Sequence, residues 1–154
     1  MNPLDQVLER LPSGRILGLD VGDRRVGVAV SDELGLTAQP VLTLVRKNRR
    51  QDLGSLARLV RKYGCTQVVV GNPLYMSGDV SPQALKAQGF AHALQAQTGV
   101  ELTLWDERLS TTEAHRHLDA AGRVPGDRRA VIDQVAAVLI LQSFLDSRRS
   151  RLAD

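Results

Sequence analysis

The chain has 154 residues, 43% of them apolar, with a formal net charge of +3 and a sequence pI near 9.5. That is the size of a single domain with a real core, too apolar for a disordered chain, and its modest basic excess points to a polyanionic partner. Cys65 is the only cysteine, which excludes an internal disulfide and a cysteine-based zinc centre and fits a reducing compartment.

The first segment, MNPLDQVLERLPSGR, has no basic-then-apolar signal pattern. No continuous apolar run approaches the roughly 18 residues that cross a bilayer. The expectation is a cytoplasmic protein with no membrane partner. Residues 15–20 and 25–31 read as two β-branched, apolar strands joined by a glycine-containing turn. Leu36 to Val45 reads as a third strand, which Pro40 interrupts or confines to a sheet edge. Leu53, Leu56, Ala57 and Val60 recur at helical spacing within Gln51 to Tyr63, and Gly64 closes that helix. Gln67 to Gly71 is a short strand apolar on both faces.

Asn72 to Asp79 reads as a loop. Ser81-Pro82 then starts a helix, with serine as the cap and proline in the first turn, running to about Gln97 before Gly99. Val100 to Trp105 is a further strand. Ser110-Thr-Thr-Glu113 is a capping box, which predicts a short helix ending at Gly122. A loop over Arg123 to Gly126 follows, and Asp127 caps a last helix to about Asp146. A flexible basic tail occupies about 147–154. The order β-β-β-α-β-α-β-α-α predicts one α/β domain over residues 1–154. It has a mixed five-stranded sheet whose first three strands form an antiparallel meander, flanked by helices. That is the arrangement of a ribonuclease H-like domain.

Basic residues cluster. Arg46 to Lys62 holds seven of them and one acid, Asp52; Arg123, Arg128 and Arg129 flank a Gly/Pro loop; Arg148, Arg149 and Arg151 lie in the tail. A solvated helix face and a frayed terminus would explain each cluster alone. Aromatic residues are only 3% of the chain, so phosphate contacts are favoured over base stacking as the mode of nucleic-acid binding.

The acids are more specific. Asp20 ends the first strand, where a rigid element presents its residues to a crevice, although an aspartate also starts turns for purely structural reasons. Asp133 shares one helical stripe with Ala137, Ile140, Leu141 and Phe144, and a carboxylate there needs a cation or strong donors. An arginine partner is the structural alternative. The segment LWDERLS supplies Asp106 and Glu107, whose side chains point to opposite sides of a strand. One would join Asp20 and Asp133 while the other bonds locally, to Arg108 for example, and alternation does not choose between them. Three carboxylates form a hard oxygen cage that suits Mg²⁺ or Mn²⁺, and two ions roughly 3.5–4 Å apart would serve a phosphodiester displacement. Arg24, Arg25, Arg123 and Arg128 are the candidate phosphate partners. His115 and His117 are two residues apart and make a poor metal pair. No Walker A loop or G-x-G-x-x-G is present.

Four stretches, LGLDVGDRRVGVAVSD, VVVGNPLYMSGDVSPQA, LWDERLSTTEAHRHL and VIDQVAAVLILQSFL, resemble the signature blocks of the YqgF family in the family's order, from about residue 14 to 145. Members are described as pre-16S ribosomal RNA nucleases or Holliday-junction-resolvase-like proteins. The resemblance implies a ribonuclease H-like fold, metal-dependent phosphodiester cleavage and a cytoplasmic role in 5′-end maturation of the small-subunit rRNA. It places the catalytic and metal-binding acids at Asp20, Glu107 and Asp133, so Glu107 is taken over Asp106. Arg108, beside them in the sequence, is a further candidate substrate contact. Asp23 departs from the small residue or threonine often found there, and would weaken phosphate approach or help bind metal. The resemblance leaves pre-16S rRNA, the favoured substrate, and branched DNA both open; symmetric cutting of branched DNA would call for a homodimer. Two other readings compete. Asp20-x-Gly22 also resembles the first phosphate loop of actin-like ATPases and sugar kinases, but a second such domain is missing. A non-catalytic RNA-binding assembly module is the other.

Overall fold

A computed structural model describes residues 2–3, 14–110 and 126–153. Five strands, β1 (Arg15–Val21), β2 (Arg25–Ser31), β3 (Ala38–Val45), β4 (Cys65–Asn72) and β5 (Glu101–Asp106), form one sheet in the order β3-β2-β1-β4-β5. The first three make an antiparallel meander, and β4 and β5 join in parallel. Helices α1 (Arg49–Lys62) and α2 (Pro82–Thr98) supply the crossovers, and α3 (Gly126–Ala153) follows a short 3₁₀ turn, Glu107–Leu109. The mixed sheet with flanking helices is the predicted fold class.

Alternation divides the core in two. Leu17, Leu19 and Val21 of β1 point to one face of the sheet and pack with Leu53 and Leu56 of α1 and Phe90 and Leu94 of α2. Ile16, together with Ala29 of β2 and Val69 of β4, points to the other face, onto Ala137, Ile140, Leu141 and Leu145 of α3. The central strands β1 and β4 are thus covered on both sides, which is why they are apolar throughout.

Local signals set the element ends. Asn48 caps α1 by accepting from Gln51 N, and Ser81 caps α2 by accepting from Ala84 N with proline in its first turn. Gly99 ends α2 in the left-handed region at φ 74°. Pro40 sits on edge strand β3 at a register shift opposite Val28 and Ala29, as a residue with no N–H to donate requires.

Several boundaries differ from the sequence reading. Strand β3 begins at Ala38, because Asp32 closes the preceding turn by accepting from Leu36 N and Thr37 N. Strand β4 extends to Cys65 and Asn72, since pairing with β1 and β5 continues past the apolar run. Helix α3 starts at Gly126, with Asp127 inside its first turn, and continues to Ala153 through the arginines assigned to a tail. Arginine is a good helix former, favoured near a helix C-terminus, and Arg149 pairs back to Asp146 on the same face. The segment Arg128–Arg151 has the length and composition to cross a bilayer, although its apolar residues are not continuous. Its apolar stripe is spent on the sheet. The capping box at 110–113, the helix to Gly122 and most of the 123–126 loop lie outside the described residues.

Candidate functional site

Asp20 lies near the end of the central strand, is only 7% exposed, and shares the α3 face with Ile16 and Gly18. Its neighbours on both sides are glycines. Gly27 of β2 is its register partner, and Gly71 of β4 follows the Leu19–Val70 pair alongside it. A Cβ on Gly27 would collide with the main-chain carbonyl of Asp133. A Cβ on Gly71 would collide with the Glu107 carboxylate and come within 2.6 Å of Ile140 Cδ1. A third glycine, Gly18, leaves room for Leu141, whose Cβ would be 2.7 Å from an added methyl. Helix α3 can therefore lie close on the sheet, and these missing side chains make room for the acids on either side of Asp20.

The result is a row across three strands. Asp133 stands over β2, Asp20 rises from β1, and Glu107 leans over β4. Glu107 is only 4% exposed and opens the 3₁₀ turn after β5. Asp106 points elsewhere. It caps that turn by accepting from Arg108 N, and it takes Arg108 Nε at 3.0 Å and Nη2 at 2.6 Å. The Arg108 hydrogen bonds hold the Asp106 carboxyl below the usual range. Arg108 also donates to Met76 O at 3.2 Å, so it braces the loop before α2.

Asp20 and Asp133 open into a cleft of about 310 Å³ shared with Arg24, Arg25 and Arg129, with Gly22 and Asp23 at its rim. Arg25 Nε donates to Asp133 Oδ2 at 2.5 Å, which answers the need of a carboxylate on an apolar helix stripe. Among the described residues no three His, Cys, Asp or Glu side chains close on one point as a ready-made metal cage would. The carboxylates are in a row, and the Asp133 one is turned to Arg25. The set nonetheless fits Mg²⁺ or Mn²⁺ in kind: every donor is a carboxylate, and the gap at Gly71 is shaped to the Glu107 head group.

The β1–β2 turn that forms one wall is held from three sides. Arg46 Nη1 donates to Gly22 O at 3.0 Å, Gln83 Nε2 to Val21 O at 3.1 Å, and Lys86 pairs with Asp23 at 3.2 Å. Asp23 thus faces a lysine on α2. Arg46 is in turn fixed by Asp52, which is 2% exposed, and by the Phe90 ring 4.8 Å below it. This arginine, counted in the sequence with a solvated helix face, is a structural strut.

Of the predicted phosphate partners, Arg24 and Arg25 line the cleft, Arg108 is engaged with Asp106, Arg128 is exposed and outside the cleft lining, and Arg123 lies outside the described residues. Arg129 takes the place expected of Arg128. Its spacing from Asp133, four residues on a helix, was the available signal. Gly27 and Gly71 carry no signal of their own until the strands are paired.

The family described as "RuvX: Holliday junction resolvase" matches residues 14–147. A protein of Syntrophus aciditrophicus is 49% identical over 86% of this chain and 89% of its own length, and one of Moorella thermoacetica is 50% identical over 86% and 94%. Both are named "Putative pre-16S rRNA nuclease". Among solved structures, T. thermophilus RuvC in complex with a Holliday junction substrate has a TM-score of 0.54 at 14% identity, covering 88% of this chain and 96% of that one. The fowlpox virus Holliday junction resolvase has a TM-score of 0.50 at 14% identity, covering 86% and 99%. At such identities they speak for the ribonuclease H-like fold alone. The family match over most of the chain, joined by relatives near half identity along nearly their whole length, makes this chain a member of the RuvX/YqgF family.

Proposed function

We propose that the chain is a nuclease that hydrolyses phosphodiester bonds during 5′-end maturation of pre-16S rRNA, in the cytoplasm, with Asp20, Glu107 and Asp133 as its catalytic and metal-holding acids. The observation that carries this reading is the placement of Asp20 between the other two acids, across adjacent strands and beside an arginine-lined cleft.

Buried, rigidly mounted carboxylates do not favour a bare polyanion, so the site calls for cations between acids and phosphate. Mg²⁺ or Mn²⁺, as two ions, would supply Lewis-acid activation of water and charge neutralisation at the leaving oxygen. Asp20 and Glu107 would hold this charge from β1 and β4. Asp133 would join them once Arg25 releases it. Arg24, Arg25 and Arg129, which line the cleft, would bind the non-bridging phosphate oxygens. In the hydrolysis, a water oxygen would bond to phosphorus and release one proton to solvent, while the bond to the 3′ oxygen breaks and that oxygen leaves with a proton from solvent. The struts at Arg46, Gln83 and Lys86 keep the cleft wall in place while the strand binds.

The family description favours a second reading, resolution of Holliday junctions; symmetric cutting of that substrate would call for a two-fold dimer. Incubating the protein with a 16S precursor RNA and with a Holliday junction, each with Mn²⁺, separates the two. Cleavage of the RNA at its 5′ leader supports the proposal. Symmetric cuts in the junction with the RNA left intact would replace it.

A further inference from the structure

A second cavity, of about 680 Å³ against 310 Å³ for the acidic cleft, lies at the opposite end of α3. That volume is within the ordinary range of small-molecule sites. Its wall is the α3 face of β4 and β5, where Gln67 Nε2 donates to Thr103 Oγ1 at 2.9 Å. Trp105 and Phe144 meet there edge to face, centroids 5.6 Å apart and planes at 81°. Ser143 Oγ accepts from Trp105 Nε1 at 3.1 Å and pins the indole. Arg148 lies over the Phe144 ring with Cζ 5.8 Å from its centroid, and Arg151 lies on the rim. Burial lowers the Arg148 pKa below its ordinary value, so its guanidinium is partly stripped of water. Glu101, at the outer edge, is exposed.

Aromatic rings beside two guanidinium groups make a site for a ligand that has both a π face and negative charge. Its position narrows the class. Trp105 is opposite Gly71, over which the Glu107 carboxylate lies from the turn after β5, so the aromatic end of the cavity begins within about 7 Å of Glu107. Arg148 is fifteen residues beyond Asp133 on α3, about 22 Å along the helix. A nucleic-acid strand that leaves the cleft beside Asp20 and crosses the ends of β4 and β5 would run over Trp105 towards Arg148.

We propose that this cavity holds an unpaired nucleotide of the substrate strand, its base against Trp105 and Phe144 and its phosphates on Arg148 and Arg151. The proposal takes its biological sense from the nuclease reading, but its occupancy is independent of cleavage. In a duplex the base faces are covered by stacked neighbours and the base is held by its pair, so the cavity selects single-stranded over duplex flanks.

Trp105 is the only tryptophan in the chain, so its fluorescence reports on this cavity alone. The test titrates the full-length Asp20→Asn protein, which cannot cleave if the nuclease reading holds, with hexauridylate, a 12-base-pair duplex and uridine monophosphate. The expected result is saturable quenching by hexauridylate and about tenfold weaker or no quenching by duplex. Uridine monophosphate should bind at least tenfold more weakly than the hexamer, since a strand also uses the cleft. Arg148→Gln, with an unchanged circular dichroism spectrum and Tm, should weaken hexamer binding about fivefold or more. Binding seen by anisotropy with Trp105 fluorescence unmoved would overturn the proposal. So would equal affinity in an Arg148→Gln/Arg151→Gln double variant, or uridine monophosphate binding as tightly as the hexamer, which would assign the cavity to a free nucleotide. Quenching that persists while cleavage proves absent in the wild-type protein would refute the nuclease reading and leave this one standing.

Discussion

Gly71→Ala is the substitution that most sharply separates the positioning of the acids from the stability of the fold. The new methyl would sit 2.6 Å from Ile140 Cδ1 and closer still to the Glu107 carboxylate, whereas ordinary contact begins near 3.4 Å. Ile140 must give by about 0.8 Å, and Glu107 by more. Both obstacles are the far ends of flexible side chains, so a new rotamer relieves them at an overpacking cost of about 1–2 kcal/mol. For a chain of this size that is a fall in Tm of roughly 2–8 °C. Activity is far more exposed, because a displacement near 1 Å of a catalytic group costs on the order of 10²-fold in rate. Cleavage of a 16S precursor RNA under saturating Mn²⁺ should therefore fall about a hundredfold, while thermal melting shows a cooperative fold a few degrees less stable. Activity within threefold of wild type would refute the idea that the gap at Gly71 seats Glu107. Global unfolding would refute the idea that only side-chain tips oppose the methyl.

Gly27→Ala should behave in the opposite way, with a stability loss above about 3 kcal/mol and little soluble protein. Its obstacle is the Asp133 backbone on a long packed helix, which cannot rotate aside. Arg25→Ala leaves the part-buried Asp133 carboxylate without its 2.5 Å partner and should cost about 1–3 kcal/mol in urea unfolding. The Arg25→Ala/Asp133→Ala pair should recover part of that loss, and strict additivity would show that the pair carries no coupling. Burial pushes the Cys65 thiol up to about 11, so it should react with a disulfide reagent at pH 8 only on unfolding. Because the folded pKa is the raised one, stability from Cys65 is intact below pH about 9 and is lost as pH climbs through about 11; a Cys65→Ala protein should lack that decline. Asp106 has the opposite sign. Its folded pKa is lowered by Arg108, so its contribution is present above the ordinary carboxylate range and disappears as pH falls through the lowered value, which Asp106→Asn should abolish in acid melts.

Much of this was legible in the chain. Strand and helix order followed from short apolar runs, from the spacing of Leu53, Leu56, Ala57 and Val60, and from the Ser81-Pro82 start. Asp133 drew notice because a charge interrupts an apolar stripe, and its arginine partner was foreseeable in kind. Asp106 and Glu107 could not be told apart by alternation, since both faces of β5 are partly covered. The structure separates them by what they meet, Arg108 for one and the space over Gly71 for the other. The glycine gaps were hidden because a missing side chain has meaning only once a neighbouring strand or helix is in register with it. The extension of α3 through the terminal arginines was hidden too, because the same residues serve a helix end and a solvated tail equally well. The Trp105–Phe144 cavity escaped a reading based on an aromatic content of 3%, because two rings brought together from distant segments outweigh their number.

The central claim is that Asp20, held between Glu107 and Asp133, is needed for phosphodiester hydrolysis and not for folding. The most direct measurement is cleavage of a 16S precursor RNA in Mn²⁺ by the wild type and by Asp20→Asn, with melting curves of both. Processing by the wild type, loss of at least about 10³-fold in Asp20→Asn and matched cooperative unfolding are the predicted result. Undiminished cleavage by Asp20→Asn, or by the wild type in excess EDTA, would contradict it.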